Sequence, residues 1–476
     1  MKSEIGSIAK ATGLGDERRE TVEALLDVFN RVNAPGGRNA ERRDYYEGDI
    51  AIKDIGVDAV PDDIRIHTSC DWPAKAVDSV AERVRLTGFS FEDDARDEAF
   101  ERVVAENRLL SAFSSNLPSE LVHGCMAATV GRHNGRTQVR FHAAETCAME
   151  WDSAAARMGA GFVIAGWART EWSKRVPVPV QVNLHLPGEV TVLTRTSRNR
   201  WSAETSPTPL DRPMMEAFVF KGTGDKPFGR SRITRNVIDI ADEVLRIKEY
   251  MAFSGAISAA PQKWLMGLTD EQFEKLKTSK WSTYIGSWVF GTADEDGNSP
   301  KIGQLPAASP LPYIEMLRQQ AAEFSGATGV PMGSLGVEHD NPASAEAIQA
   351  SREDIISVAD DLIASSRDSL REVALMAMAA EDGKSIDELP AWKRTVEASF
   401  RSPLRHSRAE NADAALKLAQ AIPGFAESRV FLEMQDFDQS EIRRIQSDVR
   451  RIKAEGRTDS LLEAIGAMDE RPEDVG

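Results

Sequence analysis

Apolar residues recur every three or four positions near the start of the chain, and this spacing predicts helices. Residues 17–32 have such a face, which the run Asn33-Ala-Pro-Gly-Gly37 terminates. A second helix follows Trp72-Pro73, because proline suits the first helical turn, and its apolar positions continue to Gly88. Residues 86–91, LTGFSF, then predict the start of a strand.

Three further helices follow from the same spacing. One begins near Arg235 and ends before Pro261, and a second covers residues 312–324. A third begins at Asn341-Pro342, a good cap and first helical residue, and continues to about Ala380. At about 39 residues this last helix is long for a globular domain, so we expect it to need neighbours along its whole side.

Strand patterns occupy residues 120–222 and parts of residues 260–309. In the first region, alternating β-branched and aromatic residues are interrupted by turn signals at Asn134-Gly135 and Pro187-Gly188. In the second, QKWLMGL, SWVFGT and KIGQL predict strands, and the acidic turn 294–298 is expected to join the last two as a hairpin. Its spacing does not match a calcium loop.

Composition excludes several classes of protein. The chain has 476 residues and a net charge of −17, which argues against a protein that grips nucleic-acid phosphates. No apolar run is long enough to span a membrane, and the three cysteines are odd in number and widely spaced. We therefore expect synthesis in a reducing cytoplasm.

The search for catalytic motifs finds none. Gly383-Lys384-Ser385 lacks the first glycine of a phosphate loop, since Met378 stands at that position, and Ser334 lacks the first glycine of a nucleophile elbow. No HExxH motif or zinc-type cysteine pair occurs. For His133, His142 and His185 a structural role is favoured over ligand binding. The sequence therefore predicts no enzyme, no metal and no cofactor.

A glycine-rich segment between two helices needs another explanation. Residues 324–346, FSGATGVPMGSLGVEHDNPASAE, contain no lysine or arginine, so the segment is poorly suited to holding phosphate. It suits brief contact with something anionic.

The order of several segments resembles the portal proteins of long-tailed bacteriophages, in the branch common among phages of actinobacteria. The resemblance covers most of residues 40–380. The segments are YYEGDIAIKDIG, DWPAKAVDSVAERVRLTGFSF, PFGRSRITRNVIDIADEV, SAAPQKWLMGL, GQLPAASPLPYIEMLRQQAAEFSGATGVP and DNPASAEAIQASRE.

This resemblance implies a helix-rich α+β fold with the parts of a portal subunit. Those parts are an α/β wing (residues 1–230), a stem helix (231–259), a small αβ clip (260–309), a second stem helix (310–329), a tunnel loop (330–341), a long helix with the rest of the wing (342–400), and a helical crown with a C-terminal tail (401–476).

The resemblance also implies a function. Portal subunits form a ring of twelve at one capsid vertex, through which double-stranded DNA passes without sequence specificity. The implied partners are the terminase large subunit, the major capsid protein and the head-to-tail adaptor, with no membrane contact. The protein would be synthesised in the host cytoplasm and located in the virion.

Candidate site residues follow from this assignment. The residues implied for the tunnel loop are Met332, Gly333, Ser334, Gly336, Glu338, His339 and Asp340. The candidate arginines for a DNA contact in the crown are Arg443, Arg444, Arg450 and Arg451. A solvated face with internal ion pairs is the favoured alternative for this run. Arg230, Arg232 and Arg235 are expected to contact an adjacent subunit rather than DNA.

Two rival functions stay open from the sequence. A motor or processing enzyme is disfavoured by the missing phosphate loop, and ATP hydrolysis would revive it. A different structural ring, such as a head-to-tail adaptor or scaffold protein, explains the acidity and helices equally well, but its usual small size fits 476 residues poorly.

Overall fold

The structure of the protein is a computed structural model with helices and sheets mixed along the chain. It describes residues 5–51, 67–92, 95–170, 173–259, 263–268, 288–292, 301–304, 309–337, 350, 352–404, 408–435, 437 and 441–454. The described residues agree with the helix-rich α+β class predicted from the sequence.

Helices are numbered in chain order. They are α1 (Asp16–Asn33), α2 (Arg38–Glu47), α3 (Trp72–Ala81), α4 (Glu98–Glu106), α5 (Leu109–His123), α6 (Arg235–Ala259), α7 (Leu311–Thr328), α8 (Glu353–Asp382), α9 (Arg408–Ala421), α10 (Arg429–Met434) and α11 (441–454). Short 3-10 turns occur at Ile8–Lys10, Met332–Leu335, Ala391–Thr395 and Phe425–Glu427.

Thirteen strands form four sheets within the described residues. The strands are β1 (Arg85–Ser90), β2 (Cys125–His133), β3 (Arg136–Ala143), β4 (Cys147–Asp152), β5 (Arg157–Thr170), β6 (Ser173–Leu186), β7 (Glu189–Ser197), β8 (Arg200–Pro207), β9 (Met215–Val219), β10 (Lys263–Leu268), β11 (Trp288–Thr292), β12 (Lys301–Gln304) and β13 (Glu397–Arg401). The sheet orders are β1-β13, β11-β10-β12, β3-β2-β9 and β4-β5-β6-β7-β8.

The hairpin turns predicted in the strand-rich region are confirmed. Asn134 and Gly135 join β2 to β3 with φ of 51° and 77°, the left-handed values that a tight two-residue turn requires. Gly188, at φ 79°, joins β6 to β7 in the five-stranded antiparallel sheet. Helix α1 packs on this sheet through Phe29, whose ring centroid is 5.6 Å from that of Phe162. These tight turns therefore help to set which residues of β2 and β3, and of β6 and β7, face each other across the strands.

Helix α8 is the centre of the main core. The eight residues from Val373 to Ala380 are all buried, so this part of the helix is apolar on every side and surrounded by protein. The helix contacts α3, α4, β2, β3, β9 and β13, and Ile355, Leu362 and Leu370 extend its buried face. The neighbours that the long helix was predicted to need therefore come from its own chain.

A long-range strand pair completes this core. Strand β13 pairs antiparallel with β1, and Leu86 is opposite Phe400. The Arg83 guanidinium also donates to the Pro403 carbonyl at 3.1 Å. Residues after α8 are thereby joined to the first hundred residues.

Two predicted helix boundaries are wrong. Helix α3 ends at Ala81 instead of Gly88, because the residues from Arg85 onward pair with β13. Helix α8 begins at Glu353 with Arg352 as its cap, instead of running continuously from Pro342. Residues 341–349 lie outside the described part of the chain. At 30 residues the helix is about 45 Å long.

The hairpin predicted within residues 260–309 is also wrong. Strands β11 and β12 are not paired with each other, because β10 lies between them. Strand β11 pairs parallel with β10, while β12 pairs antiparallel with it. Sequence proximity favoured the hairpin, but pairing to the central strand gives both β11 and β12 the same hydrogen-bonding neighbour. The acidic turn 294–298 lies outside the described residues.

Among the described helices, none combines the length and hydropathy required to cross a bilayer.

Candidate functional site

Helices α6 and α7 pack against each other, and the burial of their side chains changes along each helix. Val237, Val244 and Leu245 of α6 lie in the main core. In α7, Phe324 is fully buried, with its ring centroid 5.5 Å from that of Trp72. Near the other end of α7, Ile314 is 37% exposed. The predicted apolar face of α7 is therefore only half covered by its own chain.

Arg232 joins this helix pair to the rest of the molecule. Its Nε donates to the Ala76 carbonyl at 2.6 Å and its Nη2 to the Thr328 carbonyl at 2.7 Å. The side chain is 9% exposed, and burial lowers its pKa to about 10. The cation lies at the C-terminus of α7, where the helix dipole favours positive charge.

The expectation that Arg232 reaches an adjacent subunit is wrong, because its guanidinium is enclosed within its own chain. Arg235 does lie on the surface, where it pairs with Asp239 at 3.1 Å. Arginines in a basic run look alike in sequence, so burial of one of them gives no local signal.

Two glycines permit the close packing around Arg232. A Cβ at Gly229 would lie 2.2 Å from the Phe220 carbonyl oxygen, and one at Gly124 would lie 3.0 Å from the carbonyl carbon of Arg230. Both have left-handed backbones, with φ of 67° and 98°. This explains the glycine in the segment PFGRSR, where backbones meet too closely for a side chain.

The glycine-rich segment after α7 begins as a packed turn. Gly329 caps α7 with φ 72°, and a Cβ there would lie 2.9 Å from the Cβ of Asp354. Val330 is fully buried and Leu335 is 8% exposed, and both belong to the main core. The start of this segment is therefore held in place by packing against the core.

The predicted loop residues are found in three environments. Met332 packs against the core, whereas Gly333, Ser334 and Gly336 are exposed in and after the 3-10 turn Met332–Leu335. Gly336 has a left-handed backbone at φ 78°. The remaining predicted residues, Glu338, His339 and Asp340, lie outside the described part of the chain.

The four predicted crown arginines are exposed on α11 but differ in their partners. Arg443 lies 3.8 Å from Glu101, and Arg451 lies 3.2 Å from Asp448. Arg444 and Arg450 make no ion pair within the described ranges. The alternative of internal ion pairs therefore applies to two of the four.

Titratable groups elsewhere do not form a reaction centre among the described residues. His142 and His185 are buried, and burial lowers their pKa values to about 4 and about 3. Glu120 is fully buried, and burial raises its pKa to about 8. Neither carboxyl oxygen of Glu120 has a hydrogen-bond partner in the described structure. No group of three potential metal ligands occurs in those parts either.

Comparison with known proteins gives one family. The family model described as "Phage portal protein, SPP1 Gp6-like" matches residues 231–459. The portal protein of Mycobacterium phage L5 is 23% identical over 437 residues, which are 84% of this chain and 81% of that protein. The portal protein of Mycobacterium phage D29 is 24% identical over 401 residues, 79% of this chain and 77% of that protein.

A solved structure is also similar. It is titled "Virion of native gene transfer agent (GTA) particle", and the match covers 90% of this chain and 98% of that chain at 14% identity and a TM-score of 0.43.

Proposed function

This chain belongs to the phage portal protein family, and from that premise we propose that twelve copies form a ring at one vertex of a capsid. The ring is the channel through which double-stranded DNA enters during packaging and leaves during ejection. The protein is a component of the virion with a structural role and no catalysis of its own.

The incompletely covered face of α7 is the observation that carries the ring proposal. Leu311, Ile314 and Met316 are 63%, 37% and 48% exposed. Leu311 and Ile314 are three residues apart and share one face of the helix, while Met316 lies on the other side. Exposed large apolar side chains of this kind are typical of protein contacts. In a ring, the α6 and α7 helices of neighbouring copies cover these side chains and form a tube.

Residues 330–341 narrow this tube in our proposal. Val330 and Leu335 fix the segment to the core, while Gly333, Ser334 and Gly336 face solvent without bulky side chains. Small polar surfaces offer DNA little to bind. Glu338, His339 and Asp340 complete the proposed constriction.

The charge of the ring favours sliding over binding. Twelve copies at −17 each carry −204, and a predominantly negative wall repels phosphate. Arg444, which makes no ion pair in the described chain, is the proposed DNA contact in the crown (401–476).

The remaining contacts of a portal subunit follow from the proposed parts. Residues 260–309, which include the sheet of β10, β11 and β12, form the clip that docks the terminase large subunit and later the head-to-tail adaptor. The wing, made from residues 1–230 and 342–400, meets the major capsid protein. Stem helices 231–259 and 310–329 connect the clip and the wing.

Electron microscopy of the purified protein with native mass spectrometry tests the ring. Twelve chains of 52.3 kDa correspond to about 630 kDa, and the images should show a central hole. A defined small oligomer without a channel would contradict the proposal and favour an adaptor or scaffold protein.

A matched pair of substitutions tests the stem contact itself. Ile314→Asp places a charge in the proposed interface and should abolish rings. Gln319→Asp, at an exposed polar position of the same helix, should leave them intact. Equal ring formation by both variants would remove this face from the assembly.

A further inference from the structure

A cleft of about 1200 Å³ lies between the first α/β segments and the C-terminal helices. One wall comes from β1, α4 and α5, and the opposite wall comes from Ile442, Arg443, Gln446 and Arg450 of α11, with Arg429 at the start of α10. The cleft is separate from the stem and the loop, so the proposed channel does not account for it.

The rim of the cleft is strongly basic. Among the described residues, five arginines line it, against a single acidic residue, Glu101. Arg443 lies 3.8 Å from Glu101 and Arg429 lies 3.0 Å from Glu433. The other three rim arginines, Arg96, Arg108 and Arg450, have no ion pair within the described ranges. Within the described residues, three arginines of an acidic protein thus line one cleft without an ion-pair partner.

Arg108 adds a second observation. Its backbone is left-handed, with φ 49°, at the N-terminus of α5, a conformation that is unfavourable for residues other than glycine. Strained residues of this kind often occur where a side chain must be presented in one direction. Here the strained residue is one of the three rim arginines.

The floor of the cleft is apolar. Phe89, Phe91, Val104 and Leu110 line it and are only partly buried. Phosphate groups require the arginines but not such a floor. The combination fits a ligand with one acidic and one apolar face, as an amphipathic acidic helix has.

The chain contains a segment with this chemistry. Residues 459–470, DSLLEAIGAMDE, have four acidic residues and no basic residue, a charge of −4. Leu461, Ile465 and Met468 recur at the spacing of one helix face. Ser460 and Glu463 form a capping-box pattern at the start of the run.

Size and reach agree with this segment. A helix 10–12 Å wide that rises 1.5 Å per residue occupies about 120–170 Å³ per residue, so the cleft holds about seven to ten residues. That is enough for the eight residues from Leu461 to Met468 that carry the apolar face. The described part of the wall helix α11 reaches residue 454. The seven residues from there to Leu461 span up to about 25 Å when extended, enough to turn back to the cleft formed by the same helix.

We propose that residues 459–470 of the same chain dock in this cleft, with Leu461, Ile465 and Met468 on the apolar floor and the carboxylates facing Arg96, Arg108 and Arg450. The docked segment ties the C-terminal helices to β1, α4 and α5. The proposal does not depend on ring formation, which native mass spectrometry of the same variants reports separately.

Cross-linking of the full-length protein tests this directly. Ser111 lines the cleft and is exposed, and the three native cysteines are buried. The variant Ser111→Cys/Ala467→Cys, treated with a short bismaleimide, should give an intramolecular cross-link, identified by mass spectrometry. Ser197→Cys/Ala467→Cys, with Ser197 exposed at the end of β7, should give at least tenfold less.

Two outcomes would overturn the proposal. Equal cross-linking by both pairs would mean that the segment has no preferred site. A cross-link only between two chains would mean that a second copy supplies the segment.

Charge reversal tests the role of the arginines. Arg96→Glu/Arg108→Glu/Arg450→Glu, introduced into the Ser111→Cys/Ala467→Cys variant, should reduce the cross-link about tenfold. Arg102→Glu, an exposed α4 residue outside the cleft, should leave it unchanged. Circular dichroism and a thermal melt of each variant check that it is folded, and an unchanged cross-link in a folded triple variant would overturn the charge pairing.

Binding of a fluorescent double-stranded DNA tests whether the cleft binds nucleic acid instead of residues 459–470. If the triple variant lost DNA binding while the starting pair gave no preferential cross-link, the cleft would be a nucleic-acid site and the proposal would be wrong. Under the proposal, DNA affinity changes less than twofold and the cross-link is lost.

Discussion

Helices α8 and α7 both have the apolar spacing of a packed helix, but their own chain covers them very differently. In α8 all residues from Val373 to Ala380 are buried, whereas Leu311 and Met316 of α7 are 63% and 48% exposed. A helix with uncovered apolar positions is complete only when another surface is added. The spacing of apolar residues thus predicts the helix, and only the exposed fraction shows whether its partner is the same chain.

The largest expected effect is the difference in unfolding free energy lost when an apolar side chain is removed from α8 or from α7. Leu370→Ala removes a fully buried side chain of α8 and should lower the free energy of unfolding by about 2–5 kcal/mol. Ile314→Ala in α7 should lower it by less than about 1 kcal/mol in the isolated subunit, since the side chain is 37% exposed there. Urea unfolding below the concentration of assembly measures both, and equal losses would erase the distinction.

A pH titration tests how completely the region around α5 excludes water. The pKa of Glu120 is about 8 in the folded protein and 4.5 as a free side chain. Between these values the folded state holds a proton that the unfolded state has lost. The Glu120 contribution to stability therefore falls as pH rises, by up to roughly 1.4 kcal/mol per pH unit.

Glu120→Gln should remove this slope. Exposed Glu23 of α1 offers the control, since Glu23→Gln should leave the slope unchanged. Unfolding free energies measured at pH 5, 6, 7 and 8 decide the matter. A wild-type curve already parallel to that of Glu120→Gln would show that water reaches the carboxyl group.

Substitution of Arg232 tests how strongly the helix pair α6–α7 is joined to the rest of the chain. Arg232→Ala should cost about 2–3 kcal/mol, because a charged donor to the Ala76 and Thr328 carbonyls is lost. Arg235→Ala, which breaks only a surface pair with Asp239, should cost less than about 0.5 kcal/mol. Thermal melts of the two variants measure the difference. If Arg232→Lys matched the wild type, charge rather than the two-pronged geometry would explain the stabilisation.

The smallest effect concerns the segment between α7 and α8. Gly336→Ala should cost about 1 kcal/mol, because alanine disfavours φ 78°. Gly333→Ala should be nearly neutral, since its φ is not positive and no atom lies within 4 Å of the added Cβ. Thermal melts measure stability, and DNA packaging in infected cells measures function. If the Gly336→Ala variant were destabilised but packaged DNA normally, the conformation of this turn would not be required for DNA passage.

Local signals in the sequence predicted much of the fold. The apolar spacing of α1 and α6 and the turn at Asn134-Gly135 depend on neighbouring residues, and the structure confirms all three. The end of α8 at Gly383, expected to be a turn and not a phosphate loop, is a left-handed cap at φ 65°. Such features are set within a few residues, so a single sequence contains them.

Long-range contacts were not predictable in the same way. Nothing near Arg85 indicates a partner at Arg401, and the central position of β10 depends on strands up to 41 residues away. Of the candidate site, the sequence identified the glycine-rich turn and the exposed arginines of α11. It did not show that Arg232 is internal or that Arg96 and Arg450 share a cleft, because each requires knowing which distant segments meet.

The pairing of β1 with β13 has a consequence for synthesis. β1 ends at Ser90 and its partner begins at Glu397, so about 300 residues are translated before the pair can form. At roughly 5–20 residues per second the ribosome needs about 15–60 s for this stretch. During that interval β1 presents an unpaired edge, which is prone to wrong pairing with other chains. A newly made chain therefore depends on its late-emerging strand to close this edge, and its core is complete only after translation has passed residue 401.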